Sequence, residues 1–330
     1  MSRRALLRDA VAIAAMLEIL APLCAHAETW PSRPMTMVVP YAAGGTADPV
    51  ARVLAAGLSQ VLGQQVIVEN VGGGGGTVGT NRVAKAMPDG YQFVFGSVGS
   101  LAQSQALYKH PPYRTLTDFA PVALVAEQPV VLVGRKDLPV RDLQEFIAYT
   151  RANQAKMQYG SPGASSGNQL ACMLLNAAIK VNVTHVPYRG GGPAMQDLIA
   201  GRTDYQCLND VLAKPLIDSG SIKPIAVLTR ARSPNLPDLA SAQEQGLPEF
   251  DVSGWFALAL PKAAPEAIVR KLNQATLAAL DSPTLQEQMK KIGGNVVAPD
   301  RRSTEYLGKF LESEIARWAE IIKANGLTLD

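Results

Sequence analysis

The chain has 330 residues, of which 47% are apolar and 18% charged, with 28 glycines and 23 prolines. This composition excludes a mainly disordered chain, and the length exceeds what one ordinary core needs, so two lobes or domains are expected. Thirty-one Lys and Arg against 28 Asp and Glu leave only +3. Without a clustered basic face, that charge argues against a nucleic-acid binder held by phosphate contacts.

Residues 1–27 read as an export signal. Arg3, Arg4 and Arg8 make a basic start, an apolar stretch runs from Ala10 to Leu23, and Ala25-His26-Ala27 is a small-x-small cleavage site. Ser2 to Arg8 also resembles the twin-arginine export signature, whereas Asp9 and Glu18 interrupt the apolar region, so both export routes stay open. Cys24 follows Leu23, where a lipid-attachment signal wants a small residue, and the apolar run falls short of the roughly 20 residues a membrane span needs. The mature protein is therefore expected in the periplasm, starting at Glu28, with 28 basic and 26 acidic side chains and a net +2. Its remaining cysteines, Cys172 and Cys207, could pair in an oxidising compartment, but buried free thiols are the simpler expectation. His110 and His185 have no metal-ligand spacing, so neither metal nor cofactor is expected.

In chain order, Met35–Val39 predicts a strand and Ala47–Leu62 a helix with Val50, Val53, Leu54, Leu58 and Val61 on one face. Val66–Val68 predicts a second strand, followed by Gly72–Gly76 and a helix through Ala86. Tyr91–Phe95 predicts a third, ending in Gly96-Ser97 before another helix. Strand, glycine loop and helix, three times over, imply a parallel sheet covered by helices. Val122–Val125 and Val130–Val133 then read as two strands with no helix between them, a crossing into a second lobe. There the predicted order is helix 140–151, strand 157–160, helix 167–179, strand 184–186, helix 192–200, strand 205–207 and strand 222–228. Ser253–Leu260 is a further strand and a candidate return crossing, before helices near 265–280, 283–292 and 304–324, with Gly326 as the last stop. The expected architecture is α/β, with lobe I at 28–126 and about 260–330, and lobe II at 127–259, hinged as a clamshell.

The junctions Gly44-Gly45-Thr46, Gly96-Ser97 and Ser161-Pro162-Gly163-Ala164-Ser165-Ser166 place small and hydroxyl residues where helices begin. Free backbone N–H groups and the positive end of the helix dipole favour an anion there. Turn geometry and capping account for each loop singly. Three at matching strand ends point to a pocket for a carboxylate or another small oxyanion. Enzyme motifs are incomplete. Gly74–Gly79 satisfies GxGxxG, but the next strand ends Phe95-Gly96-Ser97 without the acid a dinucleotide fold uses. No phosphate-loop Lys follows a glycine loop. Ser97 and Ser161 each have half of a GxSxG elbow, and His185 sits in a Val/Pro/Tyr context that suits a structural role.

From Trp30 to Leu327 the chain resembles the extracytoplasmic solute receptors of the tripartite tricarboxylate transporter type, the Bug or TctC family. The residues that carry this are Trp30-Pro31-Ser32-Arg33-Pro34, Val38–Asp48, Val68-Glu69-Asn70 and Pro88-Asp89-Gly90-Tyr91. Asp118-Phe119-Ala120-Pro121, His185–Gly190, Arg232–Asp238 and Trp255-Phe256 add to them. The resemblance implies a type II periplasmic-binding-protein fold with two Rossmann-like lobes joined by two hinge crossings. It also implies a monomer that closes on a small carboxylated solute, without catalysis, and the membrane subunits of a tripartite transporter as partner. A dicarboxylate, an aromatic acid or an amino acid would each fit. Binding positions carried over are Tyr41, Ala43, Gly44, Gly45, Thr46 and Asp48 in the first loop, Ser97 after the third strand, and Ser161, Gly163, Ser165 and Ser166 in the second lobe. Departures are Ala42 for Pro, Ala47 for a hydroxyl residue, Ser165 for Gly, Gln169 for His, and Tyr205–Asp210 for a Phe-Asp-Asn-Leu-Pro pattern. Asn209 and Asp210 are therefore expected at the distal end of the ligand. There Asp210 would attract an amine or repel a second carboxylate, unless it caps the helix beginning at Val211. A periplasmic sensor for a signalling partner, or a serine hydrolase using Ser97 or Ser161, are the alternatives.

Overall fold

Near-continuous apolar runs make the strands of the first sheet. Met35, Met37, Val38, Phe93, Val94 and Phe95 are fully buried, as expected for strands covered on both faces. The computed structural model describes residues 30–163, 166–248, 250–324 and 326–327. The export signal with Cys24, and Ser165, lie outside the described residues. Strands β1 (Met35–Val39), β2 (Val66–Asn70) and β3 (Gln92–Ser97) are parallel, with Met35 opposite Val66 and Val38 opposite Val94. Helix α1 (Ala47–Leu62) buries Val50, Leu54 and Leu58, ends at Gly63 in the left-handed region, and turns Val61 out of the expected stripe, 46% exposed. Helix α2 (Thr77–Ala84) follows the glycine run. After β3 comes one π-helical turn, Gly99–Gln103, and two short helices, α3 (Ser104–Leu107) and α4 (Thr115–Asp118).

The two strands predicted around Pro129 are one. Strand β4 (Phe119–Arg135) runs 17 residues without a break. Pro129 reads as a punctuation mark in the sequence, yet it sits where β4 changes partners, and Pro121 sits at a bulge; both are places where a missing N–H is tolerated. Residues Phe119 to Pro129 pair antiparallel with β9 (Ser253–Pro261), whereas Val130 to Gly134 pair with β7 (Tyr205–Asn209) and Val131 to Arg135 with β8 (Ile222–Val227). The first half of the molecule is thus ordered β2-β1-β3-β9-β4, with β10 (Asn295–Val296) beyond β4. The second half is β8-β4-β7-β5-β6, where β5 is Gln158–Ser161 and β6 is Thr184–Pro187. Residues 127–129 and 253–259, placed in the second lobe from sequence, hydrogen-bond in the first sheet.

Helices α5 (Leu143–Asn153), α6 (Gly167–Ala178), α7 (Gly191–Ile199) and α8 (Asp210–Asp218) belong to the second half; α9 (Glu266–Asp281), α10 (Pro283–Lys291) and α11 (Thr304–Ala324) follow β9. Leu307, Leu311, Trp318 and Ile322 give α11 its buried stripe. On the same helix the buried Glu314 carboxylate accepts hydrogen bonds from the indoles of Trp255 (2.8 Å) and Trp318 (3.1 Å), fixing the start of β9.

The expectation of free thiols is corrected. Cys172 and Cys207 form a disulfide with Cα atoms 5.6 Å apart, joining α6 to β7. Both side chains are buried, and only the packing of α6 over β7, invisible to spacing, brings them together. Replacing both cysteines by Ala is expected to cost about 2–4 kcal/mol of stability, read as a lower urea midpoint, and reductant should lower the wild-type midpoint but not the variant's. Equal wild-type midpoints with and without reductant would count against the bond.

Candidate functional site

A cleft with about 520 Å³ of empty space, open solvent included, lies between the two halves, where β4 hands over from one sheet to the other. The sequence builds its first wall from the loop after β1. Gly44 takes φ +77°, and the loop folds back so that Asp48 Oδ2 accepts from the Gly44 N–H (3.1 Å) and Arg52 Nε (3.2 Å). Asn70 Nδ2 donates both to Asp48 (3.0 Å) and to the Tyr41 carbonyl (3.1 Å). Burial opposes the charge on Asp48, but hydrogen bonds from Arg52, Gly44 and Asn70 win and hold its carboxyl below the ordinary value. Asp48 is therefore a brace for the loop rather than part of the wall. Tyr41 and Ser97 share a 2.7 Å hydrogen bond at the cleft, and burial pushes the Tyr41 phenol up to about 12, so it stays neutral.

Four helices of nine residues or more begin at the cleft, through Thr46 before α1, Gly167 and Asn168 of α6, Gly191 of α7 and Asn209 before α8. Each beginning leaves backbone N–H groups without intrahelical partners and a partial positive charge. Val98, Val130, Pro162, Val252, Trp255 and Phe256 supply apolar surface, and among the described residues that line the cleft none is charged. On the second side Asn168 donates to the Cys207 carbonyl (2.7 Å) and to Asn209 Oδ1 (3.1 Å), beside the disulfide.

Of the residues predicted from sequence, Tyr41, Gly45, Thr46, Ser97 and Asn209 line the cleft. Ala43 and Gly44 are exposed and do not line the cleft. Ser166 works as the N-cap of α6, accepting from the Gln169 N–H at 3.2 Å, and does not line the cleft. Ser161 and Gly163 hydrogen-bond within their own turn, behind Pro162. Asp210 does not line the cleft, and it lies within its helix rather than before it. The helix starts at Asp210 with Asn209 before it, and the fully buried Asp210 carboxylate accepts from Ser233 Oγ (2.7 Å), Asn235 Nδ2 (2.9 Å) and Asn295 Nδ2 (3.3 Å). Through Oδ2 it ties α8 to β10, while Oδ1 is buried without a partner among the described residues. Residues missed from sequence include Gln103, Asn168 and Gly191. Asn168 follows the flagged Ser166 by two positions, whereas nothing local marks Gln103.

The rim is where glycine is indispensable. A Cβ on Gly190 would lie 2.6 Å from Ala42 Cβ, and one on Gly191 would lie 3.2 Å from Gly45 Cα. Loops of the two halves therefore meet backbone to backbone, at distances side chains would prevent.

Ser161 also meets a histidine: its Oγ lies 2.7 Å from His185 Nε2. The other ring nitrogen faces the Gln169 amide Nε2 at 3.4 Å, a donor where a catalytic base needs an orienting acceptor. Burial pushes His185 down to about 4. Because the folded value lies below the ordinary 6.5 of the unfolded chain, the unfolded state takes up the proton first, and stability is lost as pH falls from 6.5 toward 4. About 1–2 kcal/mol is expected after allowance for partial exposure of the ring. Urea midpoints measured across that window should show a slope that His185→Gln removes; parallel slopes would exclude it.

A family model described as the tripartite tricarboxylate transporter family receptor matches residues 50–327. Among solved structures, the periplasmic binding protein BugD is similar at 37% identity and TM-score 0.87, covering 91% of this chain and 99% of that one. MatC of Rhodopseudomonas palustris with bound malate is similar at 39% and 0.86 (89% and 100% covered), and a further R. palustris protein with adipate at 35% and 0.85 (91% and 99%). With the two-sheet α/β fold and the uncharged cleft between its halves, these matches show that the chain belongs to the TctC family of periplasmic solute-binding receptors.

Proposed function

We propose that this protein captures a small organic carboxylate in the cleft and presents the closed form to the membrane subunits of a tripartite transporter. The observation that carries the proposal is the cleft itself, an uncharged pocket onto which four helix beginnings converge. Backbone N–H groups at α1, α6 and α7 offer a carboxylate the donors it needs, and Tyr41, Thr46 and Ser97 add hydroxyls. Burying an anion without a cationic side chain is tolerable when several oriented donors replace its water. Relatives bound to malate and adipate support the same ligand chemistry. A binding rather than catalytic role is supported by Ser161, which lies outside the cleft and whose histidine lacks an acid.

In this proposal lobe I comprises 33–129 and 253–327 and lobe II 130–252, with hinges at Pro129–Val130 and Val252–Ser253. Ligand bridging the lobes stabilises the closed form by the contacts made only there, a tenfold population shift for about each 1.4 kcal/mol. Thr46→Ala with Ser97→Ala removes two hydroxyls worth about 1 kcal/mol each, so calorimetry with malate or adipate should show affinity falling at least about tenfold. Undiminished affinity in the double variant, or wild-type binding to uncharged solutes alone, would refute the assignment. Small-angle scattering should show the radius of gyration shrinking on ligand addition in the wild type. In Gly190→Ala, whose Cβ meets Ala42, that contraction should be reduced; an unchanged wild-type radius at saturation would count against hinged closure.

A further inference from the structure

The side chain of Gln103 is the one polar group lining the cleft whose hydrogen-bonding atoms are both buried and both unpaired among the described residues. Gln103 is 1% exposed, and neither Nε2 nor Oε1 has a partner. It is carried on the π-helical turn after β3, in the first half, and it reaches the start of α6 in the second: a Cβ built on Gly167 would lie 3.5 Å from Gln103 Oε1. A buried amide left without partners is costly, as it is also at Gln128 away from the cleft, and a group entering a site is one way to complete its bonds. Gln103 is among the residues that line the cleft.

Resting on the carboxylate-capture function above, we infer that Gln103 is the specificity-determining residue of the cleft and that it selects a hydroxy acid. The start of α6 is one of the places where a carboxylate finds backbone donors, so Gln103 faces the group next to that carboxylate. An amide with both atoms unpaired needs a partner that accepts from Nε2 and donates to Oε1. A hydroxyl does both. An ammonium only donates, a second carboxylate only accepts, and a methylene does neither. The cleft lining offers no carboxylate to an ammonium, because neither Asp48 nor Asp210 is part of it. An amino acid of the same skeleton therefore lacks the compensation that a hydroxy acid finds.

The test compares L-malate, L-aspartate and succinate, three four-carbon diacids differing at one substituent, with adipate as a carboxylate lacking the hydroxyl. Calorimetry on the whole mature protein, stripped of endogenous solute, is expected to show malate binding at least about tenfold more tightly than succinate or aspartate, as sites built to bond a hydroxyl discriminate strongly. Gln103→Leu should bring malate and succinate within about threefold of each other, and should raise the ligand-free melting temperature, because the unpaired amide is gone. Gln103→Met, unbranched like glutamine, repeats the measurement so that a folding defect in one variant does not carry the result. If wild type binds these carboxylates without preferring malate, or if both variants keep the wild-type preference, the role of Gln103 is overturned while carboxylate capture stands. If wild type binds none of the four, both are overturned.

Discussion

Strand β4 belongs to two sheets at once, and the rest of the molecule is arranged around that fact. Up to Pro129 its hydrogen bonds go to β9; from Val130 they go to β7 and β8. A strand that changes partners without leaving the extended conformation keeps its own direction while the two sheets twist away from each other, and this opens a cleft whose floor includes Val130. The return path at Val252–Ser253 runs beside it, since the Val252 N–H bonds to Leu228 and the Leu228 N–H to Val130. Two neighbouring crossings at one level are where the proposed hinge lies.

The same geometry accounts for a site without charge. Because the parallel strands of both sheets point their carboxyl ends toward the handover, the helices that follow them begin there. Dipoles and unpaired N–H groups accumulate on the cleft, and acidic side chains are kept behind it. Asp48 braces the Tyr41 loop through Gly44 and Asn70, and Asp210 anchors α8 to β10 through Ser233, Asn235 and Asn295. Each acid shapes the site at one remove. The disulfide does likewise, since it joins α6 and β7 next to the Asn168–Asn209 hydrogen bond. Glu314 holds Trp255, so α11 reaches the cleft through an indole.

Glycine takes on two separate jobs. At Gly44 it supplies a left-handed backbone for the turn after β1. At Gly190 and Gly191 it lets the second half approach Ala42 and Gly45. The abundance of glycine in the composition suggests anion-binding loops, and the structure adds that much of it serves contact between the halves.

Local physics made much of this legible in the sequence. Apolar runs and helical stripes marked β1, α1, β9 and α11 nearly to the residue, because side-chain periodicity follows directly from backbone geometry. The loops at Tyr41–Thr46 and Gly96-Ser97 were legible as cleft elements because such loops recur at matching strand ends, although capping alone explains each one singly. What depends on distant partners was not. The continuity of β4 through Pro129 is decided by the strands that flank it, the Cys172–Cys207 bond by the packing of α6 over β7, and the direction of the Asp210 carboxylate by Asn235 and Asn295. Gln103 is the clearest case. Its sequence context is that of an ordinary helical residue, and only the meeting of the two halves leaves its amide buried and unpaired in a residue that lines the cleft. The sequence by itself determined the elements, the family and the chemical character of the loops; the tertiary structure decided which of those groups face one another, because burial and pairing are properties of neighbours that lie far apart along the chain.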